Sequence, residues 1–380
     1  MLQNETTIKV KTTESNQFDP EKIDLDSFLN DIMNLKKEIE SSLGDEDIRH
    51  LKKMDNIGKF FTLLGFATSW IAPNPISSIS LALGKSNKWI MMHHVGHRGY
   101  DKVPNVPEKY HSTNFAKGYR RYIDWFDWMT PEAWKYEHNV LHHSYTGEGK
   151  DPDLVERNIE KLRKANLSRT TKYALLALLG IGWKPYYYTP NTLQSLHDRD
   201  IVDTKDEIVG GYANYSQIWK DLIFKCYLPY SLFNFAFIPL LFSPLGAWSV
   251  FSVFCNYFVA ELITNFHTFM IIGPNHTGDD IYRFNSKPKN KAERYLRQII
   301  GSANCKTGGD FNDFLHGWLN YQIEHHIYPD IPMLKYQQIQ PRIKEICEKY
   351  NIPYVQESIF IRFRKMLEVA VGKTSMKTLY

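Results

Sequence analysis

Three short runs of histidine carry the chemistry of this sequence: His93-His94-Val95-Gly96-His97, His138-Asn139-Val140-Leu141-His142-His143 and Gln322-Ile323-Glu324-His325-His326. On a helix, residues four apart lie on one face, about a turn from each other. His93 and His97 have that spacing, as do His138 and His142, and Gln322 and His326. Each run therefore presents two or three imidazole or amide donors along one edge, enough for part of a metal site but not for an octahedral shell. A lone histidine is usually a hydrogen-bonded structural residue; three helically spaced clusters have no such simple account. Imidazole suits iron, copper, nickel and zinc alike, so donor type does not choose the metal. Donor number says more, because together the runs exceed what one metal uses and imply two.

The hydrophobic pattern identifies the elements that must bring these runs together. The chain of 380 residues has a net charge of +4 and 23% charged residues, a balance that would suit a soluble protein. Its apolar residues are nevertheless concentrated. No charge falls between Phe60 and Gly84 or between Cys226 and Ala260, and apolar sequence continues past Glu261 to Ile272. A bilayer crossing needs roughly 20 apolar residues, so these runs are predicted membrane spans. Pro73-Asn74-Pro75 is a turn signal that divides the first run into a hairpin, with one short span to about Ala72 and a second from Ile76 toward Met92; a single kinked span is the alternative. Ser243-Pro244-Leu245-Gly246 divides the second run into spans over 221–242 and 247–273. Neither turn carries Lys or Arg, whereas every long polar segment does. The positive-inside rule then places the N-terminus, residues 93–220 and residues 276–380 on the cytoplasmic side, with all three histidine runs at one membrane face.

The rest of the chain supports that layout. Trp70, Trp89 and Trp219 sit near span ends, as in an interfacial belt, although Trp also fills ordinary cores. Tyr173 to Trp183 is apolar but too short to cross, and is predicted to lie at the interface. Phe28, Ile32, Leu35, Ile39 and Leu43 recur at helical spacing and predict an amphipathic helix over 21–43. Residues 1–19 are polar and expected to be unstructured, and no cleavable signal peptide is read there. The expected division is a polar N-terminal segment (1–56), a membrane domain with its cap (57–355) and a C-terminal tail (356–380). Cys226, Cys255, Cys305 and Cys347 have no CxxC spacing, so neither a disulfide framework nor a zinc knuckle is expected. No Lys/Arg tract points to nucleic acid; a slight basic excess suits lipid head groups.

The three runs resemble the histidine boxes of the membrane fatty-acyl desaturases. The stretch Asn312-Asp-Phe-Leu-His-Gly-Trp-Leu-Asn-Tyr-Gln-Ile-Glu-His-His326, with Tyr328-Pro329-Asp330 and Ile352-Pro353-Tyr354 after it, is similar to the front-end branch, in which glutamine replaces the first histidine of the third box. The likeness covers about His93 to Tyr354. It implies an all-α integral-membrane fold, with four transmembrane helices in two hairpins under a cytosolic helical cap that holds two irons. It also implies O₂ as co-substrate, a lipid acyl substrate and a separate electron donor, cytochrome b5 or a ferredoxin. The implied ligands are His93, His97, His138, His142, His143, Gln322, His325 and His326, with one more at the cytosolic end of the fourth span. His276 stands at that place. His267, its rival, is nine residues earlier, about 13 Å deeper and on the opposite helical face. A tunnel past Trp318 and Tyr321, neighbours of Gln322, would place the acyl chain. The membrane is expected to be a bacterial inner membrane or the endoplasmic reticulum.

The sequence departs from the family pattern in three places. His94 stands where the first box commonly has aspartate, the second box has three residues before its histidine pair, and no His-Pro-Gly-Gly cytochrome b5 signature is present. His50, His111 and His197 are read as surface residues, and His316 is off the ligand edge by helical phase. Arg120 and Arg121, among Tyr119, Tyr122 and Trp125, suit a head-group phosphate or a solvated basic face. Asp151-Pro152-Asp153 and Gly308-Gly309 are read as loop and turn residues that the resemblance implies shape the site. The nearest rival activity is a hydroxylase or ketolase on the same scaffold. A metal transporter would need ligands at mid-membrane, and a zinc hydrolase would use only about three of these donors. The soluble di-iron pattern of paired Glu-x-x-His motifs is matched once, at Glu108–His111.

Overall fold

The computed structural model describes residues 18–200 and 213–379, which are mainly helical. The expectation for the N-terminus falls, over residues 1–17, outside the described residues. Helix α1 (Leu25–Ser41) starts later than its periodicity predicts, because Asp24 accepts the Ser27 amide at 3.1 Å and caps the helix there. Its apolar stripe of Phe28, Ile32, Leu35 and Ile39 is buried. Tyr328 donates to the Ile32 carbonyl and Lys36 pairs with Asp330 at 3.0 Å, so α1 docks on the segment that follows the third histidine run.

Helices α2 (Asp45–Ser69) and α3 (Pro75–Gly96) form the first hairpin. Asn74 accepts the Ser77 amide at 2.8 Å and Pro75 fills the first turn, where a missing N–H costs nothing. The Pro-Asn-Pro signal therefore marks a turn between two helices, and the kinked-span alternative does not apply. Gly58, Gly65 and Gly84 let the two backbones approach; a Cβ on Gly84 would lie 2.2 Å from the Thr62 hydroxyl. α3 runs unbroken to the first histidine run.

Residues 131–145 form α4, which carries the second run. α5 (Arg169–Trp183) exposes Leu175, Leu178 and Ile181 and is followed by α6 (Thr189–His197). α7 (Tyr215–Leu245) and α8 (Ala247–Ile272) make the second hairpin, turning at Gly246, whose φ of 99° suits a residue without Cβ. Among the described residues these two helices are long and apolar enough to cross a membrane. Their outer faces expose Leu232, Leu240, Phe251 and Phe258. The hairpins are tied at the turn of the first: Asn256 of α8 donates to the Ser69 and Ala72 carbonyls at 3.0 Å each and accepts the Asn74 amide at 2.8 Å.

The cap is completed by α9 (Lys291–Ile300), α10 (Gln322–Ile327), α11 (Met333–Lys349) and α12 (Ile359–Ala370). Two short parallel pairs, which the all-α expectation did not include, join β1 (Tyr282–Phe284) to β4 (Lys377–Leu379) and β2 (Asn304–Cys305) to β3 (Gln356–Glu357). Residues 356–379 thus contribute a helix and two strands to the cap. The main core, with Trp89, Trp134, Trp318 and Tyr336, encloses the histidines.

Candidate active site

Four elements deliver donors to one buried volume. α3 supplies His93 and His97 from its last turn. α4 is not α-helical where it matters: Lys135–His142 is a π-helical turn. Such a turn is wider than an α-turn, so positions four and five apart both come round to the starting face, and π-turns are frequent at functional sites. Here it lets His142 and His143 both face the interior with His138, whereas α-helical spacing accounted for the first pair alone. α10 supplies Gln322, His325 and His326, and the 3-10 turn Gly273–His276 that ends α8 supplies His276.

The donors sort into two groups. Ligand atoms of His93, His97, His138 and His325 lie within 4.8 Å of one another, and so do those of His142, His276 and His326. The second and third runs each give one histidine to each group. His143 sits between them, its ring 4.4 Å from both the His97 ring and the His326 ring. Gln322 reaches the second group, its amide nitrogen 2.9 Å from His276 Nε2. His138, His142 and Asp153 also lie close enough to share an ion.

Hydrogen bonds behind the rings fix which nitrogen faces inward. His142 Nδ1 lies 2.8 Å from the Asp151 carboxylate, and His326 Nδ1 lies 2.7 Å from the Gln298 amide oxygen. His325 Nδ1 lies 3.1 Å from the Tyr336 hydroxyl, which itself donates to the Tyr328 carbonyl at 3.3 Å. Each partner accepts, so the proton sits on Nδ1 and the Nε2 lone pair is bare, as in metal-binding histidines with outer partners. His325 Nε2 then lies 2.9 Å from His93 Nε2, and His326 Nε2 lies 3.1 Å from His276 Nε2. His97 Nε2, His142 Nε2 and both nitrogens of His138 and His143 are buried without a hydrogen-bond partner. Buried nitrogens are rarely left so; inward-facing lone pairs in two groups fit two cations.

Burial keeps four of the donors neutral, with lone pairs free to bind. Burial pushes His138 down to about 4, and neighbouring Asp153 offsets part of the shift. Burial and the surrounding imidazoles hold His143, His325 and His326 well below the usual histidine range. For His142 burial acts the same way, but Asp151 outweighs it and the net shift is upward. Glu324, between the donors of α10, is pushed by burial up to about 7, with Asn304 and Tyr354 hydrogen-bonded to it at 2.8 Å each. Those bonds anchor α10 to β2 and to the Ile352-Pro353-Tyr354 segment.

The other singled-out residues lie elsewhere. His267 bonds Ser86 and the Leu315 carbonyl, at 3.0 and 2.8 Å, and stays outside both groups. His94 faces the Gly317 carbonyl at 2.9 Å, tying α3 to the stretch before α10. Gly317 and Trp318 both have left-handed backbone, and a Cβ on Gly317 would overlap Ile90. Tyr321 is buried and donates to Asp313 at 2.9 Å; Trp318 is buried edge-on to His50, 4.7 Å between centroids. His50 is therefore half-buried, not a surface residue, because α2 packs it onto the third-run loop. His197 is exposed and His111 half-buried, and His316 bonds the Asn312 carbonyl at 2.9 Å. Arg120 pairs with Asp124 at 2.8 Å, beside exposed Tyr119 and Tyr122. Sequence reading missed Gln298, Tyr336 and Arg362, each of which supports the site from a helix without a histidine.

The family profile described as "Fatty acid desaturase" matches residues 68–358. An NADPH-dependent stearoyl-CoA 9-desaturase of Mycobacterium tuberculosis is 25% identical over 360 residues, covering 90% of this chain and 78% of that protein. An acyl-lipid (8-3)-desaturase of Mortierella alpina is 21% identical, covering 79% of this chain and 61% of its own. A Delta(8)-fatty-acid desaturase of Helianthus annuus is 26% identical and covers 60% of this chain, which spans only 48% of that relative. With a profile match over most of its length and its histidines gathered into two buried, metal-spaced groups, the chain belongs to the fatty acid desaturase family.

Proposed function

We propose that this protein inserts a double bond into a lipid acyl chain at a di-iron centre. His93, His97, His138 and His325 would hold one iron, and His142, His276 and His326 the other, with Gln322 beside the second and His143 between the two. The observation that carries this reading is the set of bare, buried imidazole nitrogens converging in two groups. Iron would supply the oxidising power to break unactivated methylene C–H bonds, which side chains lack. One O₂, two electrons and two protons, with the two hydrogens taken from the chain, balance as an alkene and two waters. The electrons come from a separate donor protein, a cytochrome b5 or a ferredoxin.

This chain's own residues orient and exclude. Asp151, Gln298 and Tyr336 hold three imidazoles in one tautomer. The core of Trp89, Trp134 and Trp318 keeps water from the centre. In the membrane, α2, α3, α7 and α8 make four spans with the histidines at the cytoplasmic face. Support for the first pair comes from exposed Phe60, Leu63, Ile76 and Ile79. The test is the fatty-acid profile of a host expressing this chain, beside a His325→Ala/His326→Ala control. A new unsaturated acyl species only with the intact chain is expected; a new hydroxylated or oxo product would replace the reaction while keeping the centre.

A further inference from the structure

We propose that Gln322 is not an iron ligand but a hydrogen-bond donor to a small outside ligand of the second iron, and that Asn275 is the positioning residue that orients it. The inference rests on the di-iron reading and departs from the ligand set that the histidine-box resemblance implies. A side-chain amide ligates a cation through its carbonyl oxygen. Its NH₂ group can only donate. Which end of Gln322 faces the second group therefore decides its role.

The surrounding bonds fix that end. Asn275 is fully buried in the turn after α8, and its Nδ2 donates to the Ile271 and Leu319 carbonyls at 2.9 Å each. Backbone carbonyls only accept, so the Asn275 amide has one orientation, with Oδ1 turned to the Cys305 thiol at 3.4 Å. The same Nδ2 stands 3.3 Å from Gln322 Oε1, a place that only an acceptor suits. Turning the Gln322 amide over would set two NH₂ groups against each other in a core that leaves this side chain buried. Its Oε1 is thus held toward Asn275, and its Nε2 lies 2.9 Å from His276 Nε2. An iron in this group takes the His276 lone pair, and the Gln322 N–H then needs another acceptor. The second group offers three imidazoles against four in the first. A non-haem iron with three protein donors has positions free for outside ligands. A small ligand with a lone pair, such as azide, bound there beside His276 meets the displaced N–H.

The test reads iron content and azide binding on the purified full chain loaded with iron. The unaltered chain is expected to hold two irons and to bind azide at one of them. Gln322→Met keeps the length of the side chain without a donor. It is expected to retain both irons and to bind azide about tenfold more weakly, as for one hydrogen bond to a charged ligand. Loss of one iron in this variant, while the unaltered chain holds two, would make Gln322 a ligand and overturn the proposal; unchanged azide affinity would overturn it too. Gln322→Glu, nearly the same in shape, decides the matter if the methionine variant does not fold. Its carboxylate is expected to enter the free position, keeping both irons and abolishing azide binding, and undiminished azide binding would overturn the donor role. Fewer than two irons in the unaltered chain would remove the di-iron reading and this role with it.

Discussion

Arg362 of α12 and Pro274 of the turn after α8 are joined by a guanidinium-to-carbonyl bond of 3.1 Å, made by a side chain that is fully buried. The same guanidinium donates to the Thr277 carbonyl at 3.0 Å, so it grips the backbone on both sides of His276. Asp280 neutralises it through contacts of 2.7 and 2.8 Å. The family profile ends at residue 358, four residues before Arg362.

Arg362→Met is expected to lower iron content toward half, by loosening His276 and hence the second group while sparing the first. Losing a supporting partner of a ligand typically costs about 10- to 100-fold in metal affinity. Arg362→Lys keeps the charge beside Asp280 but lacks the planar fork that serves two carbonyls at once, so an intermediate loss is expected. Iron per chain, measured on purified protein, checks both; full occupancy in Arg362→Met would show that His276 needs no such hold.

Asp151→Asn tests the tautomer argument at the same group. The carboxylate accepts from His142 Nδ1 and is itself held by the Gly147 and Asp153 amides at 2.7 and 2.8 Å. An amide can turn its NH₂ toward Nδ1, which would move the imidazole proton to the inward nitrogen. The expected result is about 10- to 100-fold weaker iron binding at one of two sites. Biphasic iron titration of the variant against a single tight phase in the parent would report it.

What the sequence made legible follows from which signals are local. The histidine runs, the stripe on α1 and the two hairpin turns all depend on neighbours within a few residues, and periodicity or turn chemistry captures them. The π-turn at Lys135–His142 was hidden because i,i+4 spacing suits an α-helix as well, and only packing against α3 and α10 reveals the wider turn. Gln298, Tyr336 and Arg362 were invisible for another reason: each acts across the fold, from a helix whose own pattern shows only burial. The parallel pairs β1–β4 and β2–β3 have two or three residues per strand, too few for any alternation to be read.

Glu148 gives the cap a pH dependence of predictable sign. Burial pushes its carboxyl up to about 7 from an ordinary 4.5, although Arg297 stands 3.7 Å away and opposes the shift. With the folded value above the unfolded one, the stabilising contribution is complete below about 4.5 and is lost as pH rises through about 7. At roughly 1.4 kcal/mol per unit the loss amounts to about 3 kcal/mol at most. Glu148→Gln, which stays neutral, should match the parent in Tm near pH 5 and exceed it near pH 7.5. Parallel Tm curves for the two proteins across that window would show that Glu148 titrates normally.

Lys85 of α3 and Glu261 of α8 form an ion pair inside the helical bundle, and the carboxylate also accepts from Trp128, Tyr230 and Asn265 at 2.7, 2.6 and 3.0 Å. The ammonium lies 4.3 Å over the Tyr257 ring as well. Both helices run on from this pair to the turns that carry His93 and His276, so the pair sets the register between the two donor-bearing ends. Removing the lysine alone leaves a buried carboxylate with neutral donors, which typically costs about 3–5 kcal/mol. Lys85→Met should therefore lower Tm and iron retention together. Adding Glu261→Gln removes the stranded charge while keeping an acceptor for Tyr230, so the double variant is expected to recover much of the loss. A double variant as unstable as Lys85→Met would mean that packing around the lysine stem, and not the charge pair, holds α3 against α8.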